Sequence, residues 1–234
     1  MHLKEAIILA GGFGTRLQSV VKDVPKPMAD INGKPFLHYL VCYLLNYGIN
    51  KILFSVGYKH EIIRDYFSSR YKNIEIDYIV ENEPLGTGGA LKKAIESVSG
   101  DDFLILNGDT FFNIDLIKLS SLHLSKASIL TLSLKPMSNF DRYGTVTIEG
   151  DRVTGFEEKS FRKFGYINGG VYAVNKEISK YLQRYNDKFS FEVDFLQKNI
   201  YNLKFTAFIS DGYFIDIGVP EDYKKAQKEL GGIF

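Results

Sequence analysis

A cluster of small and basic residues follows the first apolar run of the chain. The segment Leu9–Leu17 reads Leu-Ala-Gly-Gly-Phe-Gly-Thr-Arg-Leu, so that three glycines precede the basic side chain of Arg16. Glycine lets a backbone pass close to a ligand and point its N–H groups at phosphate oxygens, although glycine pairs are also common at strand ends. A second basic residue, Lys26 between Pro25 and Pro27, shifts the balance toward a loop that binds a polyphosphate.

The spacing of these glycines excludes two common classes of phosphate-binding loop. A P-loop ends in a Gly-Lys-Ser/Thr triplet, which occurs nowhere in the sequence. The dinucleotide-binding fingerprint Gly-x-Gly-x-x-Gly would need a glycine at the position of Leu17, after Gly12 and Gly14. The sequence therefore argues against a P-loop GTP switch and against an enzyme of hydride transfer.

Two aspartates stand where a hard metal ion could be bound. Phe103–Leu106 reads as a buried strand and delivers Asp109 beyond its C-terminal end, where open α/β sheets place ligands. Asp216 stands among apolar and aromatic neighbours, where a charge is costly unless it is paired or metal-bound. Mg²⁺ prefers carboxylate oxygens together with substrate phosphates. The alternatives are a simple turn after Gly108 and, for Asp216, a turn at the entry of a helix.

The composition is that of an ordinary folded chain without a strong overall charge. Of 234 residues 45% are apolar, and 29 Lys and Arg oppose 28 Asp and Glu, which leaves a formal net charge of +1. Neither nucleic acid nor a membrane surface is expected as a partner, because no global field attracts them. The longest apolar run, Tyr39–Leu45, is too short to span a bilayer, and the N-terminus lacks a secretory signal. The single Cys42 excludes an internal disulfide, and a cytoplasmic protein is predicted.

The elements that must position these residues follow an alternating α/β pattern. In the first half, strands are predicted at 6–10, 51–56, 74–80 and 102–106, with helices at 36–47, 59–67 and 87–98 between them. In the second half, short links join strands at 128–134, 145–148, 152–158 and 166–174, followed by helices at 176–185, 190–198 and 220–230 and strands at 204–209 and 213–217. We predict a Rossmann-like three-layer α/β/α fold, with a mixed, mainly parallel central sheet and antiparallel additions in the second half.

The glycine run and the segment Pro25–Met28 together resemble the signature of the sugar-1-phosphate nucleotidyltransferases. In that family the glycine loop holds the nucleotide, an Arg like Arg16 contacts the departing phosphates, and a Lys like Lys26 contacts phosphate at the reacting centre. The segments around Asp109 and Asp216 also match the family pattern, and the resemblance implies that both carboxylates bind Mg²⁺ as the cofactor. It thus implies an enzyme whose catalytic residues are Arg16, Lys26, Asp109 and Asp216.

The resemblance implies one nucleotidyltransferase domain over residues 1–234, with two halves. Residues 1 to about 110 are expected to bind the nucleotide, through Leu9, Ala10, Gly11, Gly12, Gly14, Thr15, Arg16, Lys26, Glu81, Pro84, Gly86, Thr87 and Asp109. Residues from about 111 to 234 are expected to bind the sugar phosphate, through Gly144, Glu158, Lys159, Asn168 and Gly170. Glu158 and Lys159 end a strand candidate, where charged residues also stand by default. Gly169 replaces the usual Ala of the family, which predicts a sugar pocket wider by a methyl group.

The segment Glu83–Ala90 resembles the guanylyltransferases of this family. Across nearly the whole chain, and most clearly at 139–146, 189–192 and 213–223, the resemblance is to members that use D-glycero-α-D-manno-heptose 1-phosphate. It implies GTP and a sugar 1-phosphate as substrates, with heptose 1-phosphate favoured, and a GDP-heptose product for a bacterial surface glycan. It leaves open mannose 1-phosphate or another hexose 1-phosphate, another NTP, a homodimer, and a regulatory relative without activity. The retained charged motif residues argue against the last.

Overall fold

The first strand, β1 (Glu5–Leu9), sends alternate side chains into two separate apolar cores. In the computed structural model, which describes residues 3–12, 17 and 21–232, Ile8 packs into one core and Ile7 into the other. Both are fully buried, because successive side chains of a strand point to opposite faces of the sheet. Helices cover both faces, which confirms the predicted three-layer α/β/α fold.

The described residues form the following elements. The strands are β1, β2 (Asp30–Ile31), β3 (Lys34–Pro35), β4 (Lys51–Val56), β5 (Arg70–Tyr71), β6 (Ile74–Val80), β7 (Asp102–Asn107), β8 (Thr110–Phe112), β9 (Leu130–Phe140), β10 (Thr145–Glu149), β11 (Arg152–Glu157), β12 (Arg162–Asn175), β13 (Phe205–Ile209) and β14 (Phe214–Asp216). The α-helices are α1 (Phe36–Asn46), α2 (His60–Phe67), α3 (Gly86–Ala94), α4 (Leu116–Lys126), α5 (Ser179–Leu182), α6 (Gln197–Asn199) and α7 (Pro220–Glu229). Shorter 3-10 turns span Lys26–Met28, Ile95–Ser97, Lys176–Ile178 and Leu230–Gly232, and a π-helical turn spans Phe191–Leu196. None of the helices in the described ranges is long and apolar enough to cross a membrane.

A single mixed sheet of ten strands forms the middle layer, in the order β10-β11-β13-β9-β12-β7-β1-β4-β6-β5. The strands β7, β1, β4 and β6 are parallel, as the alternating pattern of the first half predicts. The long β12 then joins β7 to β9 through antiparallel pairings, and β10 and β11 add a further antiparallel pair. The predicted mixed sheet is therefore confirmed. One pairing in the second half differs from the expected antiparallel additions. β13 lies parallel to β9, because the helical segment 176–199 carries the chain back before β13 begins.

The structure differs from the sequence-based expectation between residues 107 and 127, where no element is predicted. This stretch contains β8 and the eleven-residue helix α4. The side chain of Asp115 caps α4, because its Oδ1 accepts two backbone N–H groups of the first turn at 3.0 Å each. Such a cap is a helix-start signal, but the buried face of α4 includes Ser120 and His123, and these polar residues interrupt the apolar periodicity.

A two-stranded ribbon outside the main sheet brings the two halves of the chain together. β14 pairs antiparallel with β8, so that Asp216 lies opposite Thr110. The N–H of Ile217 also donates to the carbonyl oxygen of Asp109 at 3.0 Å. The predicted strand at 213–217 is confirmed. Its partner, β8, is not predicted from the sequence. The ribbon places the two aspartates side by side.

The cap of α4 provides a test of the local stability of this fold. Asp115→Ala removes the acceptor and should lower the free energy of unfolding by about 1 kcal/mol, which shifts Tm by a few degrees in a chain of this size. Asp115→Asn keeps an oxygen acceptor and is the matched control, with most of the stability retained. Urea unfolding and thermal melting measure both variants. Equal losses would assign the effect to the charge of Asp115, whose Oδ2 lies 3.6 Å from Nζ of Lys118, instead of to the cap.

Candidate active site

Lys26 lies between the two aspartates. Its Nζ is 2.5 Å from Oδ2 of Asp109 and 3.7 Å from Oδ1 of Asp216, and its side chain is only 12% exposed. Lys26 opens a 3-10 turn, Asp109 follows β7, and Asp216 ends β14, so three separate parts of the chain meet here. The structure thus brings together all the predicted catalytic residues that it describes. Arg16 lies outside the described residues.

Neighbouring backbone and hydroxyl groups orient both carboxylates. The N–H of Gly218 donates to Oδ1 of Asp216 at 2.7 Å, and the hydroxyl of Thr110 donates to Oδ1 of Asp109 at 3.2 Å. Burial, and then the negative charge of Asp109, raise the pKa of Asp216, whereas Lys26 and the Gly218 N–H act to lower it. The ammonium group of Lys26 offsets the repulsion between the two carboxylates.

A cavity of about 390 Å³ opens beside Lys26 and Asp109, a volume in the range of small-ligand sites. Its wall contains every predicted nucleotide-binding residue in the described part of the chain: Leu9, Ala10, Gly11, Gly12, Lys26, Glu81, Pro84, Gly86, Thr87 and Asp109. Pro27, Ala90, Asn107 and Gly218 are the other described residues of the wall. Gly14, Thr15 and Arg16 of the same prediction lie outside the described residues. The glycines that follow β1 and the start of α3 therefore line the same cavity.

Glu81 closes one side of the cavity against the glycine loop. Its Oε1 accepts the hydroxyl of Ser55 at 3.1 Å, and its Oε2 accepts the N–H of Leu85 at 3.3 Å. Burial raises the pKa of Glu81, although both of these hydrogen bonds act to lower it. A Cβ on Gly11 would collide with the Glu81 carboxylate, so a larger residue there would have to displace the end of this flexible side chain.

The glycines at the start of α3 have a packing role that the sequence does not reveal. Gly86 has a φ of +71°, and a Cβ there would lie 2.5 Å from the carbonyl oxygen of Phe189. A Cβ on Gly88 would collide with the Phe189 ring, and one on Gly89 with the carbonyl of Asp187. The N–H of Gly88 instead donates to the Phe189 carbonyl at 3.0 Å. This end of α3 therefore packs directly on a segment of the second half.

Part of the predicted sugar-phosphate set lies at a bulge of β12. The register of β12 against β9 shifts between Asn168 and Tyr172. Within the bulge, Gly170 has a φ of +71° and its N–H donates to Oδ1 of Asn168 at 3.1 Å. Gly144 lies in the turn before β10, where a Cβ would be 2.9 Å from the carbonyl oxygen of Glu157. These positions thus need glycine for backbone geometry or for space.

None of the five predicted sugar-phosphate residues is among the described residues that line the cavity. Glu158 and Lys159 are both exposed in the coil that follows β11. Among the described residues, neither lines the cavity beside Lys26. Their contact with the sugar phosphate stays a prediction, and their exposure also fits ordinary charged residues at a strand end.

The expectation that Gly169 widens the sugar pocket is wrong. A Cβ at this position would collide with the ring of Phe112 and would lie 3.0 Å from the hydroxyl oxygen of Ser133. The aromatic ring on β8 fills the space that the missing methyl group leaves. The sequence could not show this, because β8 is not predicted.

Asn107 belongs to the cavity wall although the sequence does not single it out. Its Oδ1 is buried and has no hydrogen-bond partner among the described residues. Its Nδ2 comes so close to the bulge of β12 that a Cβ on Gly170 would lie 3.0 Å from it. A buried acceptor without a partner at a cavity wall is suited to a ligand donor. The available signal was its place at the end of β7, beside Asp109.

Comparisons with known proteins extend over nearly the whole chain. A family model described as "Nucleotidyl transferase" matches residues 5–231. The chain is 55% identical, over 97% of its length and 98% of the relative, to the D-glycero-alpha-D-manno-heptose 1-phosphate guanylyltransferase of Aneurinibacillus thermoaerophilus. It is 53% identical to the enzyme of the same name from Campylobacter jejuni, over 94% of this chain and 96% of that relative.

The solved structures include that of HddC from Yersinia pseudotuberculosis, which is 43% identical and superposes with a TM-score of 0.86 over 97% of this chain and all of that one. HddC complexed with GMP-PN gives a TM-score of 0.85 at 42% identity, with the same coverage. The family match runs from β1 to the turn after α7, so it includes every described part of the cavity wall. The chain therefore belongs to the nucleotidyl transferase family.

Proposed function

We propose that this chain transfers GMP from GTP to D-glycero-α-D-manno-heptose 1-phosphate, giving GDP-heptose and pyrophosphate. The observation that carries the proposal is the 53–55% identity to two guanylyltransferases of that specificity over nearly their whole length. The complex of HddC with GMP-PN supports a guanine nucleotide. Mannose 1-phosphate or another hexose 1-phosphate, and another NTP, are the alternatives within the same enzyme class.

The main task of such an enzyme is to bring two polyanions together. At an effective dielectric constant near 20, the repulsion between two like unit charges about 4 Å apart is roughly 4 kcal/mol. An oxygen of the sugar phosphate attacks the α-phosphorus of GTP, and the bond to the leaving pyrophosphate breaks in line with it. Lys26 has three N–H donors, and its two carboxylate contacts leave at least one for a phosphate oxygen.

A protein nucleophile is not needed for this displacement. The single Cys42 lies on α1, with its Sγ 3.5 Å from Nε2 of His38, and is not part of the cavity wall. His123 is buried near the other end of β7, bonded to Asp102. The reactive groups of these residues are therefore remote from the carboxylate pair.

Asp109 and Asp216 would hold the divalent cation, Mg²⁺. The residues fit this role, because both carboxylates already converge on a positive charge, the Nζ of Lys26, at 2.5 and 3.7 Å. Carboxylate oxygens are the donors that a hard cation prefers. When bound, the ion would neutralise phosphate charge and help align the reacting groups.

The remaining assignments follow the two halves of the chain. We propose that residues up to about 110 bind GTP and the later residues bind the sugar phosphate, with Arg16 at the departing phosphates. Glu158 and Lys159, with Asn168 and Gly170, would then contact the acceptor. A cytoplasmic location, a homodimer, a surface-glycan destination for the product, and the expectation of no nucleic-acid or membrane partner stay predictions.

A substrate panel tests the proposed function. Pyrophosphate release is measured with each of the four common NTPs and with D-glycero-α-D-manno-heptose 1-phosphate, mannose 1-phosphate or glucose 1-phosphate, in the presence of Mg²⁺. The highest kcat/KM is expected for GTP with the heptose 1-phosphate. A higher kcat/KM for another pair would replace the proposed substrates, and no release with any pair would indicate a regulatory relative.

Substitutions in the charge cluster should reduce turnover without unfolding the chain. Lys26→Ala, Asp109→Asn and Asp216→Asn are each expected to lower kcat by a factor on the order of 10² to 10³, because each removes a preorganised charge. Circular dichroism and thermal melting check the fold. Asp77→Asn is the matched control, since Asp77 also pairs with a lysine, Lys51, at 3.2 Å but lies on β6. Near-wild-type turnover in Asp109→Asn would remove Asp109 from the site.

The acceptor assignment has its own test. Glu158→Ala and Lys159→Ala should raise KM for the sugar phosphate about tenfold, the loss expected for a hydrogen bond to a charged group, and leave KM for GTP nearly unchanged. Lys163→Ala, at an exposed position on β12, is the control. Steady-state kinetics with each substrate varied in turn separates the two effects. Equal increases for both substrates would contradict the division into a donor and an acceptor half.

A further inference from the structure

The start of α3 is bonded to residues 185–192 of the second half, the anchor segment. The N–H of Phe189 donates to the carbonyl oxygen of Leu85 at 3.1 Å, and the N–H of Gly88 donates to the carbonyl oxygen of Phe189 at 3.0 Å. A Cβ on Gly86 would lie 2.5 Å from that same carbonyl oxygen. The backbone of residues 85–88 therefore follows the path that the anchor segment sets.

Thr87 adds side-chain hydrogen bonds to this junction. Its hydroxyl accepts the N–H of Phe191 at 2.9 Å and donates to Oε2 of Glu192 at 2.7 Å. The same carboxylate oxygen accepts the hydroxyl of Ser190 at 3.3 Å. Because a hydrogen bond to a carboxylate is stronger than one between neutral groups, the bond to Glu192 is the stronger of the two that fix the Thr87 hydroxyl.

The anchor segment is itself held in place by aromatic packing. The ring of Phe189 stacks on that of Tyr185 with the centroids 4.8 Å apart, and the ring of Phe191 stacks on that of Phe195 at 5.6 Å. Phe189, Phe191 and Phe195 are all buried in the same apolar core. A segment packed in this way can hold a neighbouring loop in one position, because moving it would open the core.

The junction combines residues of the cavity wall with a half-buried acidic residue that does not line the cavity. Gly86 and Thr87 line it, whereas Glu192 is not among its lining residues. The proposed reaction gives Glu192 no role, and a partly buried charge is retained at a cost. A residue so placed acts on a ligand through the residue that it holds, which here is Thr87.

We propose that Glu192 is a positioning residue for the nucleotide, because it holds Thr87 and the start of α3 in the arrangement that binds GTP. A wall that is already ordered binds a ligand more tightly than a wall that the ligand must order. The inference rests on the proposed function, since it takes the cavity beside α3 as the nucleotide site. It also places a residue of the second half on the nucleotide side, so the division near residue 110 is not strict.

The nucleotide affinity of Glu192 variants tests the proposal. Glu192→Ala should raise the Kd of GTP, measured by calorimetry, and KM for GTP by about tenfold, as expected for the loss of a hydrogen bond to a charged group. The kcat and KM for the sugar phosphate should change by less than about twofold, because this variant leaves the charge cluster intact. Glu192→Gln keeps an oxygen acceptor and should recover most of the affinity. Equal increases in KM for both substrates would overturn the proposal.

A double-mutant cycle tests whether Glu192 acts through Thr87. Thr87→Val has a similar shape without the hydroxyl, and should also raise the Kd of GTP. Because Thr87→Val and Glu192→Ala remove the same hydrogen bond, the increase in the double variant should fall short of the product of the single increases by about threefold or more. Multiplicative effects would show that Glu192 does not act through Thr87, and the proposed positioning role would be wrong.

Lys92→Met is the matched control, because Lys92 also joins α3 to the anchor segment but does not line the cavity. Its Nζ donates to the carbonyl oxygen of Tyr185 at 3.0 Å and to Oδ1 of Asp187 at 2.9 Å. This variant should lower Tm and leave the Kd of GTP unchanged. An equal rise of Kd in Lys92→Met, or a Glu192→Ala variant that lowers only Tm, would assign Glu192 to packing and contradict the proposal.

Failure of the proposed function shows separately, as no release of pyrophosphate by the wild type with any substrate pair. In that case the Kd of each of the four common NTPs is compared between the wild type and Glu192→Ala. A raised Kd for the nucleotide that binds would support the positioning role without the reaction. An unchanged Kd, or no binding of any NTP by the wild type, would overturn the positioning role as well.

Discussion

Two ionised carboxylates that lie near each other in a partly buried site repel unless a positive charge offsets them, and Lys26 supplies that charge beside Asp109 and Asp216. The Nζ of Lys26 contacts both, so a 3-10 turn near the N-terminus, the end of β7 and the end of β14 must all converge. The ribbon of β8 and β14 fixes one carboxylate beside the other, and β1 and β7 carry the cavity wall next to them. Most of the fold can therefore be described as the support that holds three charges in one place.

A second constraint is the close approach of backbone to backbone around the cavity. A Cβ on Gly108 would be 2.7 Å from the carbonyl oxygen of Leu9, and one on Gly86 would be 2.5 Å from that of Phe189. Glycine at these positions lets the first half of the chain contact its neighbours without side chains between them. The glycines that suggest phosphate binding from the sequence thus serve packing as well, and the two roles are compatible because a tightly packed loop is also a preorganised one.

The alternating pattern of the first half was sufficient to predict the parallel strands, because buried strands and amphipathic helices have distinct periods. The resemblance to a known family located Lys26, Asp109 and Asp216, which meet in the structure. Asn107 was not singled out this way, since its place in the cavity wall shows only in the folded chain. The error at Gly169 has the same origin, because the space beside it is set by Phe112, on a strand too short to recognise.

The pairing of β8 with β14 also determines when the site can exist during synthesis. The strands β1, β4, β6 and β7 pair with one another within the first 107 residues, so this part of the sheet can form while the chain is still being made. Asp216 can join Asp109 only after β14 has been made, about a hundred residues later in the chain. Until then, Lys26 and Asp109 lack the second carboxylate of the charge cluster. Pairing of β8 with β14 therefore completes the charge cluster beside the cavity.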